Sequence, residues 1–427
     1  MSVDALDELV KAQKRGEIKG IQSICSSHPA VLQTSMGRAV QSGVPLLIES
    51  TCNQVNQFGG YTGMRPADFV SFARSLASKC GLPAGQLILG GDHLGPSAWQ
   101  NEPEGSAMAK SEQLVRAYVN AGYGKIHLDA SMKLADDDSA HPLDVEISAG
   151  RTARLAKVSE QARLPGRPAP WYVIGTEVPI PGGAQEHEEG VSVTTVEDAR
   201  RTIDATHAAF IYEGLESAWE RVIALVVQPG VEFGDDFVLD YRPDKAATLS
   251  NSIESESHLV YEAHSTDYQK RESLRELVRD HFAILKVGPA LTFAYREALF
   301  ALAMMEKELT PEDECSNLIE CMEKMMLEDP HHWKKYYGGT LEEQAFKRKF
   351  SLSDRIRYYW NHPEAQAAVE KLLGNLSRGP LPLSLLSQFL PNQHRLVRSG
   401  KLENEPLALI QHNIDDVLGD YQYACGN

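Results

Sequence analysis

The chain has 427 residues, with 42 Lys and Arg against 59 Asp and Glu, for a formal net charge of −17. Hydrophobic residues at 42% and charged residues at 24% fit a globular protein and exclude a disordered or low-complexity body. The acidic balance argues against bulk binding to nucleic acid or an anionic membrane. It leaves room for a phosphorylated small molecule, because a few local cations or N–H groups suffice to hold a phosphate.

Residues 1–20 read as a short amphipathic helix without the apolar stretch of a signal peptide. Eight short apolar runs follow, at residues 21–27, 45–52, 87–93, 125–131, 171–178, 221–230, 258–265 and 282–291. Most are near-continuous rather than alternating, the pattern of strands covered on both faces in a parallel sheet. Helical patterns lie between many of them, at 66–80, 106–121, 194–212 and 268–280. Pro66 opens the first of these, and Gly81 and Gly122 follow two of the helix ends, as helix-start and helix-stop chemistry requires. Eight strands with mostly helical connections predict an α/β fold, a TIM (β/α)8 barrel within residues 1–305. An open doubly wound sheet is the alternative. The weakest connection is 235–257, which shows little helical periodicity.

The most apolar segment, 281–305, is interrupted by Lys286, Arg296 and Glu297, and reads as a strand running into a helix rather than a membrane span. Beyond it the strand runs stop. Helix-like patterns at 316–327, 341–350, 354–362, 363–373 and 406–418 predict a helical C-terminal extension over 306–427, packed on the barrel, with a loop at 374–391. The six cysteines are scattered without a C-x-x-C pair, as expected of reduced thiols in a cytoplasmic protein.

In such a barrel, functional groups gather at the C-terminal ends of the strands. Those ends carry Glu49 and Asn53, Asp92 and His93, Asp129, Glu177, His264, Ser265 and Asp267, and Gly288. His93, Glu177 and His264 offer two imidazoles and a carboxylate, a donor set for zinc or another divalent metal that would polarise a sugar carbonyl. Asp92 then stands ready to move a proton, with Glu49 and Asp129 as further catalytic candidates. Asn53, Ser265, Asp267 and Gly288 are candidates for binding substrate, Gly288 through backbone N–H groups offered to a phosphate. Each also has a structural reading, as a satisfied core histidine or a carboxylate capping the backbone.

Gly59, Gly60 and Gly63 form either a phosphate-contacting lid or a plain connection. The acidic runs at 136–138 and 185–189 read as solvated loops. Lys286 has no local support as a Schiff-base lysine. No G-x-x-x-x-G-K-[ST] loop occurs, so no ATP site is visible, and no G-x-S-x-G elbow supports a serine hydrolase.

The strand-end strings ESTCNQVNQ (49–57), GGDHLGP (90–96), HLDAS (127–131), GTEVP (175–179), EAHSTDYQ (262–269) and KVGPALTF (286–293), with DRIRYYW (354–360), resemble the KbaZ/GatZ family over nearly the whole chain. The resemblance implies the second, non-catalytic subunit of class II D-tagatose-1,6-bisphosphate aldolase, which supports a separate catalytic aldolase subunit. It implies galactitol or amino-sugar catabolism and a sugar phosphate ligand. Members are often labelled tagatose-6-phosphate kinase. The family is similar to zinc-dependent class II aldolases, so Asp92 and His93 match an aldolase acid with its adjoining zinc histidine, and His264 matches the last zinc histidine. Where a further histidine is implied, this chain has Gln228, so the site stays incomplete unless Glu177 or Glu232 substitutes. Some relatives are metal-dependent sugar epimerases, which makes an epimerase of ketoses, ketose phosphates or uronates the alternative to an accessory subunit.

Overall fold

The computed structural model describes residues 4–175 and 191–426. Its centre is a closed barrel of eight parallel strands: β1 (Ile21–Ile24), β2 (Leu46–Thr51), β3 (Leu87–Leu94), β4 (Lys125–Leu128), β5 (Trp171–Ile174), β6 (Val222–Val227), and, after a two-stranded antiparallel ribbon of β7 (Glu232–Phe233) and β8 (Val238–Leu239), β9 (Val260–Ala263) and β10 (Phe282–Val287). Each strand pairs with its sequence neighbours in the barrel, and β1 closes on β10 with Ile21 opposite Ile284 and Ile24 opposite Val287. This is the predicted (β/α)8 architecture, not the open sheet.

The apolar runs become strands because both faces are buried. Their outward residues meet a ring of helices, one after each barrel strand, including Pro29–Ser42, Pro66–Lys79, Glu104–Ala121 and Val145–Gln161. The inward residues divide along the barrel axis. At the N-terminal end Leu47, Ile88, Val173, Val260 and Ile284 form a small apolar core, closed from below by Leu6, Leu9 and Val10 of the first helix, Asp4–Lys14. Further along, the inward positions turn polar and charged, and there the site is built.

Two connections differ from expectation. Residues 243–252 are a helix, Pro243–Ser252, started by its proline and buried only through Ala246, Leu249 and Ser250. A face that narrow leaves little periodicity to read. Within the expected loop at 374–391 the chain folds Leu383–Phe389 as a helix, and Pro391–Arg398 follows at once. Pro382 and Pro391 mark helix starts there, which proline tolerates, rather than breaks. The expected helix at 354–362 is a single 3-10 segment, Arg355–Tyr359, entered from Asp354 at φ 48°. The last helix, Pro406–Ala424, packs on Pro289–Leu309, Arg271–Arg279 and Pro29–Ser42, and Tyr421 Oη donates to the Thr266 carbonyl at 2.7 Å. No helix among the described residues is long and apolar enough to cross a membrane.

Candidate active site

Inward side chains recur at every second residue of a strand. On β4 that places Lys125 and His127 on the inner face, with Asp129 just beyond. On β9 and its end it places Glu262 and His264, on β3 Gly90 and Asp92, on β2 Glu49, and on β10 Lys286. All these side chains are buried. Gly90 is required here, because a Cβ at that position would lie 2.5 Å from Glu49 Oε1.

The floor of the site is an ion network. Lys125 Nζ lies 2.5 Å from Glu49 Oε1 and 2.7 Å from Glu262 Oε2. Lys286 Nζ contacts Glu49 and lies 2.8 Å from Asp92 Oδ1. Burial opposes charge on both lysines, yet the surrounding carboxylates hold their ammonium groups above the ordinary lysine range. An ion-paired ammonium is no nucleophile, which removes Lys286 as a Schiff-base candidate.

Three imidazoles converge above this floor. The His93 ring centroid is 4.9 Å from that of His264 and 5.2 Å from that of His127. His93, at φ 50°, sets Nδ1 2.8 Å from Asp129 Oδ2. His127 Nδ1 lies 2.8 Å from Asp92 Oδ1, and His264 Nε2 3.0 Å from Glu262 Oε1. A carboxylate only accepts, so His264 Nε2 carries the proton toward Glu262 and its Nδ1 is left as a lone pair. His127 Nδ1 also accepts the His93 backbone N–H at 3.3 Å, and burial opposes charge on His93 while Asp92 and Asp129 raise its pKa. Burial pushes His264 down to about 4, which keeps that ring neutral. Burial opposes ionisation of Asp92, but His93, Lys286 and His127 hold its carboxyl well below the usual range.

Asp92, His127, Glu262 and His264 each offer one ligand atom, and the four atoms lie within 4.8 Å of one another. His127 Nε2 is buried with no hydrogen-bond partner among the described residues. Two imidazoles with two carboxylates are a donor set for a divalent first-row metal, and an orphaned imidazole nitrogen is the atom such an ion would satisfy. The residues present therefore fit a metal.

The expected residues divide accordingly. Asp92, His93, His264, Asn53, Ser265, Asp267 and Gly288 line one cavity of about 880 Å³ at the strand C-termini. Glu49 and Asp129, expected to act catalytically, do not line it. Glu49 balances the two lysines from beneath, and Asp129 is buried against His93 and Ser131. Gly288 is near the cavity, but its N–H and that of Ala290 donate to Asp267 Oδ1 at 3.0 and 2.8 Å, so this aspartate takes the place foreseen for a phosphate. Glu177 and the acidic run at 185–189 lie outside the described residues. The Gln228 amide oxygen accepts from Gly230 and Val231 N–H at 2.8 and 3.0 Å and is thereby held in a turn. Glu232 bonds the Phe233 N–H, and burial pushes it up to about 7. In the run at 136–138, Asp136 and Asp138 are exposed as expected, while Asp137 is half-buried and pairs with the buried Arg151 at 2.6 Å. The glycine loop after β2 brings Tyr61 to the cavity wall.

The sequence reading gave no role to His127, Glu262 or Lys125. Their signal was a polar residue at alternate positions within an apolar run. It also left the cavity's far wall unassigned. That wall comes from the C-terminal segment, with His332, Lys334, Lys335, Arg355, Arg357 and Tyr358.

Beside this wall, Asp354 is 2% exposed and accepts from Thr292 Oγ1 at 2.5 Å. Burial pushes its carboxyl up to about 7, against the opposing pull of Thr292, Arg357 and Arg296. A folded-state value above the usual carboxylate value means that the protonated form is favoured by folding. That contribution is fully present below about pH 4 and is lost as pH rises through 7. Asp354→Asn, which stays neutral, is expected to gain on the wild type between pH 5 and pH 8, by on the order of a few degrees in Tm. Parallel melting curves for the two proteins across that range would read it, and a constant difference between them would contradict the assignment.

A closed parallel barrel with buried acids, imidazoles and lysines under a cavity at its strand C-termini defines a (β/α)8 protein with a polar cavity at the barrel mouth. The chain belongs to the D-tagatose-1,6-bisphosphate aldolase subunit GatZ/KbaZ-like family, whose match spans residues 6–426. A solved structure described as a probable tagatose 6 phosphate kinase from Sinorhizobium meliloti 1021 is similar at 46% identity and a TM-score of 0.88, covering 95% of this chain and 100% of that one. The YdjI aldolase from Escherichia coli K12 is a distant likeness, with 11% identity, a TM-score of 0.44 and coverage of 87% of this chain and 96% of that one. The fructose-bisphosphate aldolase from Campylobacter jejuni stands similarly far, at 12%, 0.46, 88% and 93%.

Proposed function

We propose that this chain is the accessory, stabilising subunit of a class II D-tagatose-1,6-bisphosphate aldolase, working with a separate catalytic subunit on the route from galactitol or N-acetylgalactosamine through tagatose phosphates. Family membership supports the subunit role. The observation that carries the accessory part is Gln228. An amide is a far poorer zinc ligand than imidazole, and this one already caps a turn through Gly230 and Val231. Six free cysteines accord with a cytoplasmic setting. The kinase label of the similar Sinorhizobium protein has no support in the sequence, which lacks a phosphate-cradling glycine–lysine loop.

A second reading, a metal-dependent epimerase of a ketose or ketose phosphate, is favoured by the four-donor cluster of Asp92, His127, Glu262 and His264. A divalent ion bound there would polarise a ketose carbonyl. Asp92, ionised and lining the cavity, is the group placed to take a proton from the neighbouring carbon.

The test is an aldolase assay on tagatose 1,6-bisphosphate with this chain alone, its catalytic partner alone, and both. No cleavage by this chain alone and a several-fold gain in the partner's activity or half-life are expected. Full aldolase activity without the partner, or ATP turnover coupled to phosphorylation of tagatose 6-phosphate, would sink the proposal. Epimer formation by this chain alone would favour the second reading.

A further inference from the structure

The cavity's far wall is cationic in a chain whose net charge is −17. It holds Lys334, Lys335, Arg355 and Arg357. None of the four forms an ion pair within 4.0 Å among the described residues. Lys334 and Lys335 are exposed, but the arginines are not free surface groups. Arg355 is 4% exposed, donates through Nη1 to the His332 carbonyl at 3.1 Å, lies over the Tyr336 ring at 3.0 Å from its centroid, and keeps a buried Nε with no hydrogen-bond partner among the described residues. Arg357 bonds only neutral acceptors: the carbonyls of Ser353 and Asp354 and, at 2.9 Å, Tyr358 Oη.

Arg355 is buried and Arg357 half-buried, and neither has a carboxylate at ion-pair distance among the described residues, so an incoming anion would gain from both. The wall is also held in shape. The His332 ring stacks on Tyr358 with centroids 4.6 Å apart, Tyr61 meets Tyr358 edge-on at 4.8 Å, and Tyr337 Oη accepts the Arg355 N–H at 3.1 Å. Two planar guanidinium groups, lining the same cavity as Asp92, His93 and His264, match the two charges of a dianion more closely than the one of a single carboxylate.

We infer that Arg355 and Arg357, with Lys334 and Lys335 at the rim, form a phosphoryl subsite on the C-terminal segment, so that this chain itself binds a ketose phosphate whose phosphoryl end lies on this wall and whose other end faces the histidine cluster. The inference rests on the sugar-phosphate reading above and assigns the phosphoryl group to residues outside the barrel strands. The backbone N–H groups after β10 are unavailable for that task, because Asp267 holds them.

Titration calorimetry on the full chain tests it, with tagatose 6-phosphate, tagatose, inorganic phosphate and a hexuronate as probes. Tagatose 6-phosphate is expected to bind at least ~10-fold more tightly than tagatose, and Arg357→Gln to weaken it by roughly 10- to 100-fold, the worth of one charge-assisted contact. Arg357→Lys should recover part of that loss. Lys334→Ser/Lys335→Ser, two exposed changes that leave the core intact, should weaken the phosphate ester and leave tagatose unaffected. Equal binding of tagatose and its phosphate, or a phosphate affinity indifferent to both sets of variants, would overturn the subsite. Tighter, Arg357-dependent binding of the hexuronate would overturn the phosphoryl assignment. The accessory role is judged separately, by stimulation of the catalytic partner, so the two can fail independently.

Discussion

Lys125→Met is expected to be among the most destabilising single changes in the barrel, with a loss of about 3–5 kcal/mol and a sharp fall in soluble yield. Lys125 is 0% exposed, as are Glu49 and Glu262, and its ammonium group lies between their carboxylates at 2.5 and 2.7 Å. Methionine keeps the stem's volume but leaves Glu262 with no cation nearer than Lys286 at 3.6 Å. The cost is therefore an uncompensated buried charge rather than a lost contact. Lys125→Met/Glu262→Gln removes one charge of each sign and should regain a good part of the loss. Lys11→Met is the control. Its pair with Asp7 at 2.6 Å is exposed and screened by water, and its removal should leave the denaturation midpoint unchanged. Urea midpoints of the four proteins provide the comparison. A Lys125→Met chain as stable as the wild type would mean that the network is not charged as its geometry implies.

The barrel was legible because its strands are buried on both faces, which leaves runs such as Val222–Val227 without polar interruption. The helix Pro243–Ser252 was not, because three buried residues in ten make too narrow a stripe. The site was legible where a polar residue ends a run, as at Asp92, His93 and His264. Lys125 and His127 sit inside a run, where a charged residue reads as an interruption until the inward step of two is counted along the strand. The cationic wall was the least legible. Arg355 and Arg357 reach the cavity only because a segment more than sixty residues beyond β10 returns over the barrel mouth, held there by Tyr61, His332 and Tyr358. A contact so distant in sequence leaves no periodicity to read.

The metal ligands are the point on which the sequence and the geometry part, and three alanine variants separate them. The sequence singles out His93, Glu177 and His264. The geometry brings together Asp92, His127, Glu262 and His264. Among the described residues only His264 is common to both, so His264→Ala is expected to abolish divalent binding on either account. His127→Ala should do the same, by about 100-fold or more, since it removes the cluster's buried imidazole nitrogen that lacks a hydrogen-bond partner among the described residues. His93→Ala should cost less, on the order of the 10-fold seen for outer partners of a metal site, because His93 Nδ1 is already committed to Asp129 and its ring packs beside the cluster. Metal content after dialysis, and the rise in Tm on adding Zn2+ or Mn2+, read the order without an activity assay. A ligand at 100 times its Kd adds about 2.7 kcal/mol to stability, enough to show in a melt. Retained binding in His127→Ala with none in His93→Ala would return the ligand set to the one centred on His93 and remove His127 from it.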